Sequence, residues 1–241
     1  MASVLWKPLR MTAAENLDQL GVLSIPGVLT APQCADIERE LAPLVSDSAG
    51  TRQLLQERWC KALATQLREH PSLKQLLAST PRAVQCTYFE KDRLRTWLVS
   101  LHQDLSIPVA QRVEALGWQG WSLKQGQWFV QAPPTVLASL VAVRLHLDPC
   151  GPEDGPLRVL CGTHLHGVID AELAPGWRQR AAEQTCVAHV GDVVCMRPLL
   201  LHASSKATGT SRRRVLHFVF GPASLPNGLR WPDLADSACP N

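Results

Sequence analysis

Apolar residues recur at helical spacing in the first third of the chain. The segments 31–41 and 54–77 place apolar side chains three or four residues apart, and Pro71 divides the second segment in two. A short strand followed by a turn is expected over 21–29, ahead of the first of these helices. The pattern therefore predicts a mainly helical region over about residues 1–80.

From about residue 83 onward, short apolar runs punctuated by Gly and Pro replace the helical pattern. The candidate strands are 83–89, 128–131, 139–147, 157–160, 184–189, 192–196 and 213–220. Because most of them follow one another without an intervening helix, they favour a sandwich or barrel over a parallel α/β sheet. The Trp-rich segment 106–137 is expected to be a long loop, either packed on its own tryptophans or acting as a lid.

Length and composition indicate one globular unit. A chain of 241 residues fits a single domain over 1–241, with the helical part packed on a β core over about 83–225. The net charge of +3 comes from scattered basic residues and does not indicate a nucleic-acid partner. No apolar run is long enough to cross a membrane, and no signal-peptide pattern is present, so a cytoplasmic protein is expected.

The cysteines do not have the spacing of a zinc site. They lie at positions 34, 60, 86, 150, 161, 186, 195 and 239. None forms a C-x-x-C pair, whereas structural zinc sites use paired, close ligands. These cysteines are therefore expected to be small core residues.

A His-x-Asp sequence at His102 and Asp104 is a candidate metal site. In extended backbone, residues two apart point to the same side, so this imidazole and carboxylate can reach one point. With a histidine from a neighbouring strand they would form the facial triad that binds iron(II) and leaves coordination positions open. The pattern often arises by chance, and His146 and Asp148 form a second such pair, so spacing alone leaves both open.

A second segment supplies the missing histidine and an arginine. The strand that opens at 191–192 runs on to His202, and Arg213 follows eleven residues later. Because side chains alternate in a strand, Arg213 faces away from Arg212 and Arg214, so one arginine can be buried while two are solvated. A planar guanidinium suits a buried carboxylate, although three adjacent arginines can also be a solvated charge run.

Together these motifs resemble the phytanoyl-CoA dioxygenase family of iron(II)- and 2-oxoglutarate-dependent oxygenases. The resemblance rests on residues 21–29, on 88–104 with its Leu-His-Gln-Asp sequence, on 153–164 and on 191–213. It implies a double-stranded β-helix, a jelly-roll or cupin-like barrel of mainly β structure with helices packed on one side. It also implies iron(II) as metal, 2-oxoglutarate and dioxygen as co-substrates, and a small-molecule substrate.

The resemblance also assigns roles to residues. The expected iron ligands are His102, Asp104 and His202, and the residue expected to bind the far carboxylate of 2-oxoglutarate is Arg213. The residues expected to complete the 2-oxoglutarate site are Gln85, Thr87 and Ser204. Lys91 is expected to contact substrate, and so is Arg144, which is judged from its place on a strand and not from the resemblance. Arg144 faces either solvent or an anion, and if it points inward it could bind a carboxylate or phosphate.

The activity implied is hydroxylation of a small molecule, coupled to decarboxylation of 2-oxoglutarate to succinate. One alternative is halogenation, which needs a small residue where Asp104 stands, so that halide can bind the iron. Another is a non-catalytic barrel that serves as a binding module, which would be expected to have lost a ligand or the arginine. The presence of all four residues favours the hydroxylase, while the substrate and the oligomeric state are left open.

Overall fold

A computed structural model describes residues 11–45 and 51–233 of the chain. Its helices are α1 (Ala13–Leu20), α2 (Ala31–Leu41), α3 (Arg58–Glu69), α4 (Pro71–Lys74) and α5 (Pro134–Ala138). The first six strands are β1 (Val22–Ile25), β2 (Arg82–Lys91), β3 (Val99–His102), β4 (Ser106–Val109), β5 (Gln119–Lys124) and β6 (Gln127–Gln131). The others are β7 (Val141–His146), β8 (Leu157–Leu160), β9 (Glu183–Cys186), β10 (Val193–Met196), β11 (His202–Ser204) and β12 (Arg213–Gly221). Short 3-10 turns lie at Ala42–Leu44, Leu54–Gln56, Pro152–Asp154, Thr163–His166 and Ala174–Gln179.

These strands form three antiparallel sheets. The largest has the order β1-β10-β7-β12-β2, the second β3-β11-β8-β9 and the smallest β4-β6-β5. The first two sheets face each other, because Ala142, Val194 and Met196 of the large sheet pack in one cluster with Leu157 and Val159 of the second. Two facing antiparallel sheets with this crossover order are the double-stranded β-helix, so the predicted fold is confirmed.

The helices cover the outer face of the large sheet. A capping box at Thr30 begins α2, and its buried side chains Cys34, Ile37 and Leu41 join the same apolar cluster as those of α3. Pro71 begins α4, where its missing N–H costs nothing, and this explains the break that the sequence predicts there. The large sheet is therefore covered on both faces, by helices on one side and by the second sheet on the other.

Alternation along β12 separates two chemical environments. Leu216 and Phe218 pack outward with the helices, whereas Arg213, His217 and Val219 face the interior of the barrel. Neighbouring β2 pairs with β12 so that Lys91, Thr87 and Gln85 lie directly beside these three inward residues, in that order. The inner face of the large sheet therefore carries a group of polar side chains opposite the second sheet.

The segment 106–137 is not a loop. It forms the small sheet β4-β6-β5, in which Trp121 and Trp128 meet edge to face with ring centroids 6.4 Å apart. Gln125 and Gly126, between β5 and β6, both have positive φ, the geometry of a tight two-residue hairpin turn. Gln-Gly is a weaker hairpin signal than Asn-Gly or Asp-Gly, which is why the sequence pattern missed the hairpin.

The strand predicted to run from 192 to His202 is also interrupted. It ends at Met196, and a turn in which the Leu200 N–H donates to the Arg197 carbonyl follows at 2.9 Å. Pro198 lacks the N–H that a ladder needs, so the strand cannot continue. The turn carries the chain from the large sheet into the second one, where β11 begins at His202.

The cysteines behave as predicted in the described part of the chain. All seven described cysteines are free thiols, six of them are buried, and Cys239 lies outside the described residues. The one group of potential metal ligands found among the described residues contains no cysteine. Within 11–45 and 51–233, none of the helices has the length and apolar character needed to span a membrane.

Gly191 connects the large sheet to the loop after β1, and replacing it should destabilise the fold. Its φ is +81°, and an added Cβ would lie 1.9 Å from the carbonyl oxygen of Leu29. We expect Gly191→Ala to lower the free energy of unfolding by about 2 kcal/mol or more, because backbone strain and a backbone clash combine. Urea denaturation monitored by circular dichroism would measure this change.

Gly27 provides the matched control. Its φ is also positive, at +62°, but nothing lies within 4 Å of an added Cβ. Gly27→Ala should therefore cost only the backbone strain, about 1 kcal/mol. Equal losses in the two variants would contradict the clash at Gly191.

Candidate metal centre and its cavity

His102, Asp104 and His202 converge where β3 pairs with β11. The two histidines are direct cross-strand neighbours, and their ring centroids lie 4.2 Å apart. Asp104 follows β3, held by its N–H donating to the Pro198 carbonyl at 2.9 Å. Its carboxylate oxygens lie 3.7 Å from His102 Nε2 and 3.6 Å from His202 Nε2. One potential ligand atom from each residue thus lies within 4.8 Å of the others.

The hydrogen bonds of both histidines suit a metal. His102 Nδ1 donates to the Ser100 carbonyl and His202 Nδ1 to the Leu200 carbonyl, each at 2.8 Å. Since carbonyl oxygens only accept, these bonds place the proton of each neutral ring on Nδ1 and leave the Nε2 lone pair facing Asp104. A backbone carbonyl on the other ring nitrogen is the usual support of a histidine that binds a metal. The three residues therefore fit a divalent ion with open coordination positions.

The charges in this cluster also favour a cation. Burial alone would raise the pKa of Asp104, but His202 and His102 outweigh it and hold that pKa well below its usual range. Burial lowers the pKa of His202, and the Asp104 carboxylate only partly offsets that effect. The cluster therefore combines an ionised carboxylate with a neutral imidazole at His202, as metal binding requires. At His102 burial lowers the pKa, but the Asp104 carboxylate outweighs burial and raises it, so a metal would displace a proton there more readily at higher pH.

Gln103 holds the metal segment in place. Its Nε2 donates to the carbonyls of Leu199 at 2.5 Å and Gly167 at 2.8 Å, and its Oε1 accepts from Ile169 N–H at 2.7 Å. These bonds link Gln103, which lies between His102 and Asp104, to the turn before His202 and to residues 167–169. The sequence marks Gln103 only as part of the Leu-His-Gln-Asp motif, and its contacts appear only in the folded chain.

A cavity of about 390 Å³ opens in front of the three residues. Its inner wall is the large sheet, with Gln85, Thr87, Phe89, Lys91, Ala142, Arg144, Arg213, His217 and Val219. Its outer part is lined by Arg52, Trp97, Leu105, Ile107, Lys124 and Phe129. The sequence did not identify these outer residues, some of which belong to the small sheet that was predicted as a loop. A volume of this size accommodates small organic molecules.

Of the three adjacent arginines, Arg213 is the one that lines the cavity. It is 3% exposed, and its Nη1 donates to the Gly155 carbonyl at 2.5 Å. Arg212 instead pairs with Glu90 at 2.6 Å, and Arg214 pairs with Asp148 at 2.6 Å, both outside the cavity. Burial lowers the pKa of Arg213, and its Nε has no hydrogen-bond partner among the described residues. A buried guanidinium that lines a cavity and has an unpaired Nε can bind a carboxylate.

Lys91 lies beside Arg213. The two are cross-strand neighbours, and Lys91 Nζ donates to Ser204 Oγ at 2.8 Å and to the Ser205 carbonyl at 2.9 Å. Burial, followed by repulsion from Arg213 and Arg144, lowers the pKa of Lys91 to about 8. Lys91 therefore lies next to Arg213 and Ser204, which are expected to bind the co-substrate, in the same cavity as Arg144.

Gln85 and Thr87 line the same wall, where Gln85 Nε2 donates to Thr87 Oγ1 at 2.9 Å. Arg144 also points inward, and its Nη1 lies 3.0 Å from His217 Nδ1. His217 was not identified from the sequence, although it lies four residues after Arg213 on one strand and so shares its face. All the predicted site residues thus line one cavity.

The second His-x-Asp pair does not form a site. His146 is 3% exposed on β7, and burial, with Arg144 nearby, lowers its pKa to about 3. Asp148 is instead occupied by Arg214, accepting from Nε at 2.7 Å and from the backbone N–H at 2.9 Å. Neither His146 nor Asp148 belongs to the group of potential metal ligands found among the described residues, and the Asp148 carboxylate is already engaged by Arg214.

The barrel carries two histidines and an aspartate in the lining of a cation-rich cavity. This arrangement is typical of iron- and 2-oxoglutarate-dependent oxygenases. The model of the phytanoyl-CoA dioxygenase (PhyH) family matches residues 17–215. The chain therefore belongs to that family, and the predicted iron and 2-oxoglutarate agree with it. No curated protein sequence matches the chain significantly.

Solved structures with the same fold have different activities. The carbocyclase SnoK from nogalamycin biosynthesis is 16% identical with a TM-score of 0.67, covering 93% of this chain and 87% of SnoK. The epimerase SnoN, solved with Fe³⁺, α-ketoglutarate and nogalamycin RO, is 16% identical at 0.68, covering 92% and 86%. HygX from Streptomyces hygroscopicus, with nickel and 2-oxoglutarate bound, is 18% identical at 0.59, covering 86% and 85%. At these identities the likeness establishes the fold alone.

Proposed function

We propose that this protein hydroxylates a small molecule, using iron(II), 2-oxoglutarate and dioxygen. The observation that carries the proposal is the pair of facing histidines, each with its Nε2 lone pair directed towards Asp104. Asp104 also argues against a halogenase, because the carboxylate occupies the position that halide would need. The cations on the cavity wall are unexpected in a binding module that has lost its co-substrate.

In this proposal His102, Asp104 and His202 hold the metal, and Arg213 binds the far carboxylate of 2-oxoglutarate. Arg213 has a free Nε and a guanidinium in the cavity wall, which suits a bidentate contact with a carboxylate. The hydroxyls expected to complete this site are those of Thr87 and Ser204, with the amide of Gln85. Lys91 adds positive charge beside Arg213.

The bound iron and 2-oxoglutarate would supply dioxygen activation, with decarboxylation to succinate and transfer of oxygen to a substrate C–H bond. The chain contributes orientation and protection from water. Gln103 and the two backbone carbonyls prevent the ligands from rotating, and Asp104 stays ionised. The buried inner wall keeps bulk water away from the reacting centre.

The test combines co-substrate turnover with product mass. Protein loaded with iron(II) should convert 2-oxoglutarate to succinate when a cell extract supplies substrate, and the product should be one oxygen atom heavier. Asp104→Ala should reduce succinate formation to background, because it removes the charged ligand between the two histidines. A product of unchanged mass would instead indicate epimerisation, and one lighter by two hydrogen atoms would indicate ring closure. Either result, or no iron binding by the parent protein, would contradict the proposal.

A further inference from the structure

Cationic side chains outnumber carboxylates around the cavity. Among the described residues that line it, the cations are Arg52, Lys91, Lys124, Arg144 and Arg213, and the one carboxylate is Asp104. Divalent iron and dianionic 2-oxoglutarate cancel each other's charge, so loading both leaves a surplus of four positive charges. A cleft lined by one sign of charge concentrates ligands of the opposite sign. The surplus therefore points to an anionic second ligand.

Arg144 is the inner cation that the co-substrate does not account for. It is 8% exposed on β7, and its guanidinium lies over the Phe89 ring, 5.9 Å from the centroid. No ion pair between Arg144 and a carboxylate is found among the described residues: Nη1 contacts His217, and Nε is buried without a partner. A buried charge without a counter-ion is costly, so an anion that enters the cavity would gain a favourable contact here.

His217 orients Arg144 without neutralising it. Arginine can only donate, so His217 Nδ1 must accept, and the ring then carries its proton on Nε2. Burial, followed by repulsion from Arg144, lowers the pKa of His217 to about 3, which keeps the ring uncharged. Arg144 remains cationic at neutral pH, since burial and the nearby Arg213 lower its pKa only to about 10.

The co-substrate has other partners for both of its carboxylates. In the function proposed above, one carboxylate binds the metal and the other binds Arg213. Arg144 lines the same cavity as Arg213 and the metal ligands, and neither carboxylate of the co-substrate is assigned to it. It can therefore face a group that occupies the rest of the cavity.

Building on the proposed function, we propose that the substrate is a small organic acid whose carboxylate binds Arg144. The body of the acid would lie against the apolar and aromatic side chains of the outer cavity, which are Leu105, Ile107, Phe129 and Trp97. Arg52 and Lys124 are exposed at the cavity and would attract the acid by long-range charge.

The experiment compares acids with their uncharged amides. The protein is loaded with nickel(II) in place of iron, so that no turnover occurs, and with saturating 2-oxoglutarate. Acetate, benzoate and phenylacetate, each paired with its primary amide, are then titrated by calorimetry. We expect at least one acid to bind about tenfold or more tightly than its amide, because a buried guanidinium discriminates a carboxylate from a neutral isostere.

Arg144→Gln should remove the preference for the acid and leave the Kd for 2-oxoglutarate within about threefold of the parent value. Arg144→Lys keeps the charge and should keep part of the preference for the acid. This variant tests the role of the charge even if Arg144→Gln does not fold. Arg158→Gln removes a cation on β8 that does not line the cavity, so it should change neither quantity.

Three results have distinct meanings. If no acid binds better than its amide, the proposal is overturned. It is equally overturned if Arg144→Gln weakens 2-oxoglutarate and leaves the acid preference intact, because Arg144 would then serve the co-substrate. If the parent protein binds neither nickel nor 2-oxoglutarate, the proposed function itself fails, and this is visible before any acid is added.

Discussion

Replacing His102 with alanine should abolish both iron binding and succinate production, whereas replacing His146 should leave iron binding intact. His102 presents a free Nε2 towards Asp104 and pairs directly with His202. His146 is buried on the large sheet, and Asp148, the aspartate of its His-x-Asp pair, forms an ion pair with Arg214. Iron bound per chain, measured after dialysis against buffer, would check the first effect, and succinate assays would check the second.

The two variants control each other, since each removes one histidine from a His-x-Asp pair. His146→Ala should lower stability by about 1–3 kcal/mol, because it empties a buried position on β7. Thermal unfolding therefore has to accompany the iron measurement. The reverse pattern, with iron lost only from His146→Ala, would move the metal to the large sheet and undo the site as proposed.

Arg213→Ala should weaken 2-oxoglutarate binding by about 2–5 kcal/mol, the usual cost of removing one partner of a buried charge pair. Iron should still bind, because Arg213 is on the large sheet and the metal ligands lie on or beside the second sheet. Calorimetric titration of the nickel-loaded protein with 2-oxoglutarate would measure the loss.

Arg212→Ala and Arg214→Ala are the matched controls for Arg213. Both arginines form ion pairs outside the cavity, with Glu90 and Asp148. Their removal should alter 2-oxoglutarate affinity little, whatever it costs in stability. If Arg213→Ala binds the co-substrate as tightly as the parent and a flanking variant does not, the choice among the three arginines is wrong.

Structures with this fold include a carbocyclase and an epimerase, so the barrel does not determine the reaction outcome. In this chain, the inner-wall residues not expected to hold metal or co-substrate include Arg144, His217 and Phe89. Their side chains would determine how an acid is oriented, and we expect them to decide the position that is oxidised.

Some features follow from the sequence alone because they depend on neighbouring residues. Helical spacing predicts α2, and Pro71 predicts the break before α4. The i, i+2 geometry of extended backbone predicts that His102 and Asp104 reach one point. The same alternation separates Arg213 from its two neighbours. Each of these inferences needs only a few consecutive residues.

Other features needed the tertiary structure. His202 meets His102 only because β11 pairs with β3, a contact between residues one hundred positions apart in sequence. The choice between the two His-x-Asp pairs also depends on this pairing. The small sheet β4-β6-β5 depends on a Gln-Gly turn that local sequence signals only weakly.

The direction in which Arg144 points is the clearest case of a property decided by the fold. Alternation shows that neighbouring residues of β7 face opposite ways, but it does not show which face is inside. All six residues of β7 are buried, since helices cover one face of the large sheet and the second sheet covers the other. Hydrophobic pattern identifies a buried face only when the opposite face meets water. Here neither face does, so only the packing of the whole chain brings Arg144 and His217 together in the cavity.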